Sequence, residues 1–248
     1  MANRVKGNKA KSGKGAQKQE SSELLESPDA LRDTLVGKTG SFFKSKKNQN
    51  IVLGLGTALA IAIASVFGYT YYIESQNEAA QNDMFQAIFY FESDSLNRAL
   101  NGDGNNYGFL EIIDEYGGTE AANLAHYYAG VSFLKQEQYD DAIVHLSDFS
   151  SSDLLVQARA YALIGDAYME QEDFQQAADY YERAANYKPN EFFTPQYLVK
   201  AALAYEAMGD HSTAAETYGQ VVEEYPESAE YQQALKQQTR LESMAASK

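Results

Sequence analysis

Hydrophobic and polar positions change pattern twice along the chain. Residues 48–73 contain no charge, and the stretch 51–72, IVLGLGTALAIAIASVFGYTYY, is apolar on every face of a helix rather than on one. At about 1.5 Å of rise per residue, that stretch spans roughly 33 Å, enough for the hydrocarbon core of a bilayer. The pattern predicts a single transmembrane helix. A helix packed on a core by one side would show a polar face on the other. A cleaved leader fits poorly too, because the apolar run continues past the small-residue sites at 60–64 and follows a long basic segment.

Before the span, residues 1–26 are rich in Lys, Gly, Ser and Gln and read as a disordered basic tail. Residues 27–47 carry a helix-start signature, with Ser27 as N-cap and Pro28 at the first position, followed by Leu31, Leu35, Val36, Phe42 and Phe43. Gly37 and Gly40 interrupt that pattern. Two readings fit this segment. It is either an amphipathic stretch on the inner leaflet, with Lys44, Lys46 and Lys47 at anionic head groups, or a flexible tether.

After the span, residues 74–248 show helical periodicity with an internal repeat. Ala-Gly-Val-Ser-Phe at 129–133 aligns with Ile-Gly-Asp-Ala-Tyr at 164–168 and Ala-Ala-Leu-Ala-Tyr at 201–205. Twelve residues after each central small residue comes an alanine (Ala142, Ala177, Ala214), and four beyond it Leu146, Tyr181 and Tyr218. The offsets between units are 35 and 37 residues. Gly130, Gly165 and Ala202 predict close approach of paired helices. The segments 136–139, 171–174 and 209–211 predict the turns between them, and Pro189 and Pro226 end the second helices.

This spacing resembles the tetratricopeptide repeat, a helix-turn-helix unit of about 34 residues. The middle unit carries most of the family's signature positions: Tyr161, Ile164, Gly165, Tyr168, Ala177, Tyr181, Ala184 and Pro189. The expected fold class is therefore all-α, a tetratricopeptide-repeat solenoid preceded by a single transmembrane helix. The repeat domain would cover 74–248, with a degenerate unit at 76–118, units at about 123–156, 158–191 and 195–228, and a polar capping helix at 228–244. That last helix is expected to turn Tyr231, Leu235 and Leu241 inward. The first full unit departs from the pattern at Phe149 and lacks a closing proline.

Charge then sets the orientation. Residues 1–47 carry about +6 and residues 74–248 about −21, within a total of −15. Lys44, Lys46 and Lys47 precede the span, Glu74, Glu78 and Asp83 follow it, and the first basic residue beyond is Arg98. The positive-inside rule puts the N-terminus in the cytoplasm and the repeat domain across the membrane, which in a bacterium with two membranes is the periplasm. Tyr69, Tyr71 and Tyr72 sit where an aromatic belt belongs. An acidic body repels phosphate backbones, so no nucleic-acid partner is expected.

No catalytic residues, metal site or cofactor are expected. The chain has no cysteine. Val36-Gly-Lys-Thr-Gly40 lacks the earlier glycine and the preceding strand of a phosphate loop. The turn at 101–106 lacks the alternating acids and closing glutamate of a calcium loop. His126, His145 and His211 share no ligand spacing, and packing accounts for His126. Acid pairs such as Asp140-Asp141 read as solvated surface.

The tetratricopeptide resemblance implies a concave groove lined by the first helix of each unit. Carried over by position, the first unit contributes Leu124, Tyr127, Val131 and Leu134. The second contributes Arg159, Ala162, Asp166 and Met169, and the third Gln196, Val199, Leu203 and Glu206. Relatives that clamp acidic chaperone tails use Lys and Asn at such places, which this chain lacks. An apolar groove suits unfolded segments or an amphipathic helix. The alternative is that some of these residues pack against neighbouring helices. The whole layout of 27–248 is similar to the YfgM-like family, an ancillary subunit of the bacterial Sec translocon. It is nearest the Bacteroidetes type through the run Phe-Leu-Glu-Ile-Ile-Asp-Glu-Tyr-Gly-Gly within residues 95–128. The resemblance implies protein partners: translocon subunits, periplasmic chaperones or unfolded exported chains. A structural scaffold for envelope assembly is the competing expectation.

Overall fold

The structure, a computed structural model, describes residues 45–246. The basic tail and most of the segment expected to be amphipathic, with the glycine-lysine stretch 36–40, lie outside the described residues. Every regular element among the described residues is an α-helix. The chain divides between Tyr69 and Thr70 into two compact units.

Helix α1 (Lys46–Glu92) begins in the first unit and ends in the second. Every residue of its 49–72 portion is exposed, and the helix is long and apolar enough to cross a membrane. Two hydroxyl side chains within the apolar stretch bond to their own helix. Thr57 donates to the Gly54 carbonyl at 2.9 Å and Ser65 to the Ile61 carbonyl at 2.8 Å, as a water-free environment requires.

In the second unit, α1 buries Asn77, Ala80, Met84 and Ala87, one stripe at three- and four-residue steps. The Asn77 side chain accepts from the Ala121 amide at 2.9 Å and so fixes the start of a later helix. Two short helices follow, α2 (Leu96–Asn101) and α3 (Phe109–Glu115). They pack through Leu100, Phe109 and Ile112, all buried. The Phe109 ring stacks on Tyr128 with centroids 5.2 Å apart, and Phe91 meets Tyr128 edge-on at the same distance. The turn between α2 and α3 closes on Asp103. Its carboxylate accepts from the Asn105 and Asn106 amides at 2.9 and 2.8 Å and from the Tyr90 hydroxyl at 2.7 Å. Those donors, the Tyr90 hydroxyl first, hold the carboxyl well below the usual carboxylate range.

Three helix pairs come next: α4 (Glu120–Lys135) with α5 (Tyr139–Asp148), α6 (Leu154–Glu170) with α7 (Phe174–Asn186), and α8 (Thr194–Met208) with α9 (His211–Glu224). Alanine dominates the buried faces, and one larger side chain per pair fills the gap opposite the small residue. Leu146 lies against Gly130 and Tyr181 against Gly165. The third pair has Ala202 and Tyr218, both fully buried.

The three turns inside these pairs share one geometry. The first helix ends on a residue in the left-handed region, Glu137 (φ 62°), Glu172 (φ 59°) or Gly209 (φ 79°). The next amide then reaches back to the carbonyl five residues earlier: Gln138 to Phe133 at 3.0 Å, Asp173 to Tyr168 at 2.9 Å and Asp210 to Tyr205 at 2.9 Å. This is the Schellman closure. In the second and third pairs the same residue also caps the second helix: Asp173 accepts from the Gln176 amide and Asp210 from the Thr213 amide. One helix therefore stops and the next starts with only two or three residues between them.

Helix α5 is the shortest of the six and ends before Phe149, which is buried against Tyr127 at a centroid distance of 5.2 Å. The chain then crosses to α6, whose N-cap Asp153 accepts from the Leu155 and Val156 amides at 2.8 and 3.0 Å. The final helix, α10 (Tyr231–Ala246), packs on α9. It corrects one expectation. Ala234 and Leu241 are buried, whereas Leu235 is exposed and Tyr231 only half-buried. Ala234 and Leu241 are seven residues apart and share a face, and Leu235 is turned about 100° from Ala234.

A groove across the first helices of three repeats

The first helices of the three pairs border an open cavity of about 580 Å³. Helix α4 supplies Leu124, Tyr127 and Tyr128; α6 supplies Leu155, Val156, Arg159, Ala162, Leu163 and Asp166. Phe193, Gln196, Tyr197 and Lys200 close it from the α8 side. The lining is mostly apolar and aromatic with a few polar groups, the usual make-up of a binding cavity, and the size is in the ordinary range.

Six of the twelve residues expected to line a groove meet here: Leu124, Tyr127, Arg159, Ala162, Asp166 and Gln196. The others lie elsewhere. Val131 packs on the cluster around Leu146 and Ile164, and Leu134 on the cluster that contains Phe133. Met169 packs against the large C-terminal core, of which buried Val199 is itself a member. Leu203 is 42% exposed, outside the cavity. Glu206 accepts the Tyr218 hydroxyl at 3.0 Å and pairs with Arg240 of α10.

Tyr128, Leu155, Val156, Leu163, Phe193, Tyr197 and Lys200 complete the lining without having been singled out from sequence. A signal for four of them was present. Tyr128 lies four residues after Leu124, Leu155 four before and Leu163 four after Arg159, and Lys200 four after Gln196, about one helical turn in each case.

The charges in the groove are arranged unequally. Oδ1 of Asp166 takes two donors: it accepts the Tyr181 hydroxyl at 2.7 Å and the Lys200 ammonium at 2.6 Å, and Lys200 also lies 5.4 Å from the centre of the Tyr181 ring. Burial, with the adjacent Asp166 carboxylate, pushes the Tyr181 hydroxyl far up, so it stays a donor. Arg159 is exposed and belongs to none of the three ion pairs among the described residues. It stands between two tyrosines. Burial raises both Tyr127 and Tyr197, and the Arg159 charge pulls each partly back. The groove thus presents one cation that has no carboxylate partner, hydrogen-bonded to the Tyr127 hydroxyl and flanked by apolar surface.

A second cluster sits under the first pair. His126 of α4 and His145 of α5 bring their Nδ1 atoms to 3.2 Å, and Phe133 stacks on the His145 ring at 5.3 Å. Burial lowers both histidines, and for His145 the neighbouring His126 lowers it further, against the opposing pull of Asp148 and Asp141.

Comparison with known families agrees with this architecture. Residues 127–191 match one tetratricopeptide-repeat model, and residues 196–228 match another. No curated protein matches the chain. Such repeats are typically non-enzymatic protein-interaction modules. With the matched residues lying on the helix pairs that frame the groove, the solenoid of this chain is a tetratricopeptide-repeat array.

Proposed function

We propose that this chain is a single-pass membrane adaptor that binds proteins through the groove of its repeat domain. Residues 51–72 anchor it in the bilayer. The N-terminus is cytoplasmic and the repeat domain lies across the membrane, in the periplasm of a two-membrane bacterium. Its partners are newly exported chains or the chaperones that receive them, beside the Sec translocon.

The observation that carries the reading is the open, largely apolar cavity spanning three repeats. An apolar groove on a solenoid takes extended or amphipathic segments, and a flat enzyme-like cluster of perturbed acids and bases is not what lines it. The flanking-charge asymmetry supports the orientation, and the layout shared with the YfgM-like family supports the translocon as the site of action. The net charge of about −21 on residues 74–248 favours solubility and discourages polyanionic partners.

The test is co-purification of the full-length protein in mild detergent, beside a version whose 51–72 span is replaced by an unrelated transmembrane sequence. Enrichment of translocon subunits with the native chain, weakened by the replacement, is the expected result. Recovery of other envelope machinery with no translocon overturns the translocon assignment and favours a scaffold.

A further inference from the structure

The geometry points to a specific occupant of the groove: a protein segment that carries a carboxylate side chain in its interior, flanked on both sides by bulky apolar residues. This rests on the reading of the groove as a protein-binding site and adds what it recognises.

Two basic side chains line the cavity, Lys200 and Arg159. Lys200 pairs with Asp166. Arg159 belongs to no ion pair among the described residues, although it lies on the same helix as Asp166, two turns away, in the same cavity. Lys200 and the Tyr181 hydroxyl both bond to Oδ1 of Asp166, whereas the Arg159 side chain is hydrogen-bonded to the Tyr127 hydroxyl. The planar guanidinium is the group best shaped to receive a carboxylate bidentately, and the apolar surroundings strengthen such a bond.

Position then decides between an interior carboxylate and a chain terminus. Arg159 is on the middle helix of the three. Leu124 and Tyr127 extend the apolar lining to one side, and Phe193 and Tyr197 to the other. A segment ending at Arg159 would leave one flank uncovered. A segment passing over it covers both. Helices packed about 8–10 Å apart put α4 and α8 roughly 16–20 Å from each other. About six extended residues cross that distance at about 3.3 Å each. The occupant therefore reads apolar, acidic, apolar within a stretch of this length.

The test uses full-length protein in lipid nanodiscs and fluorescence anisotropy with labelled nonapeptides. The first probe is acetyl-Ser-Leu-Phe-Ser-Glu-Ser-Leu-Phe-Ser-amide. The second has Gln at the centre, the third Lys, and the fourth is the Gln peptide with a free C-terminal carboxylate. The Glu peptide is expected to bind roughly tenfold to a hundredfold more tightly than the Gln peptide, the usual range for a hydrogen bond to a charged group. Arg159→Gln should remove that difference, and Arg159→Glu should invert the preference toward the Lys peptide. Because Arg159 is exposed and forms no ion pair, both variants are expected to keep the helical circular dichroism of the parent.

Equal binding of the Glu and Gln peptides overturns the carboxylate and leaves an apolar protein-binding groove. Tightest binding of the free-terminus peptide overturns the interior position. Binding of none overturns the groove as the site, and the co-purification experiment then still decides the adaptor reading by itself.

Discussion

Replacing Gly165 with alanine tests how the helices of a pair are fitted together. A Cβ there would stand 2.7, 2.8 and 3.1 Å from three carbons of the Tyr181 ring. Ordinary carbon contacts are about 3.5–4.0 Å, so the ring has to move by nearly 1 Å. The ring is buried, and its hydroxyl is bonded to Asp166. The third pair shows where a ring goes when alanine occupies this place. There Ala202 stands opposite Tyr218, whose hydroxyl bonds to Glu206, four residues beyond the alanine. The matching place in the second pair is Met169, which cannot serve as a comparable acceptor. Moving the Tyr181 ring thus strands its hydroxyl. Overpacking costs about 1–3 kcal/mol. Losing the bond to Asp166, which is about one-third exposed (32%), adds about 1 kcal/mol after discounting for solvent. Alanine returns about 1 kcal/mol of helix propensity. The net expectation is destabilisation by about 1–3 kcal/mol, read by urea titration of the full-length protein in detergent. Gly219→Ala is the control, because its Cβ would meet only the tip of Gln238 at 3.1 Å; it should be neutral or slightly stabilising. Met169→Glu in the Gly165→Ala background should recover part of the loss. A Gly165→Ala protein as stable as the parent would refute this account of the pair.

Two further outcomes are expected. Glu172 holds a left-handed φ of 59° that Gly209 adopts without strain in the third pair; Glu172→Gly should raise stability by up to about 1 kcal/mol, since the relieved strain of about 1–2 kcal/mol exceeds glycine's entropy cost of about 0.5–1 kcal/mol. Calorimetric melting should show no gain or a loss if the turn is not closed in the way described. For the histidine pair, burial lowers both folded pKa values, so the unfolded chain binds more protons just below its own value of about 6.5. Stability should therefore be full above about pH 6.5 and decline as pH falls below it. His145→Phe should flatten that slope in melting curves taken across the window, and an unchanged slope would refute the assignment.

The repeat was legible because its physical requirements repeat. A small residue must recur where helices touch, an alanine twelve residues on, and a large side chain four beyond that. Gly130, Gly165 and Ala202 with Leu146, Tyr181 and Tyr218 meet those conditions, and the apolar stretch 51–72 needs only length and composition to be seen. The groove was half legible. Leu124, Arg159 and Gln196 were placed by register and do line it, whereas Val199 and Met169, placed by the same register, are in or against the core. The rotation of each first helix depends on what the next pair presses against it, and no single helix encodes that. On α8 the cavity-facing residues are Gln196, Tyr197 and Lys200, and Val199 turns toward the core. The left-handed corners at Glu137 and Glu172 were invisible for another reason: neither position offers the glycine that marks such a turn. His126 and His145 lie 19 residues apart with no motif between them, and only the pairing of α4 with α5 brings them together.

The hydrophobic core is not continuous along the solenoid. One cluster runs from Ala80 to Ala142, and a second from Ala158 to Leu241. Between them stands a small cluster built on Leu146, Phe149, Ala160 and Ile164. In a quasi-linear array, cooperativity passes only through such junctions. The domain should therefore open as two blocks, with amide exchange near this joint reporting local rather than global unfolding. The groove straddles the same joint, drawing Leu124 and Tyr128 from one block and Phe193 and Tyr197 from the other. An occupant spanning it works as a splint, and the exchange of two blocks that otherwise open separately becomes coupled for as long as the segment is held.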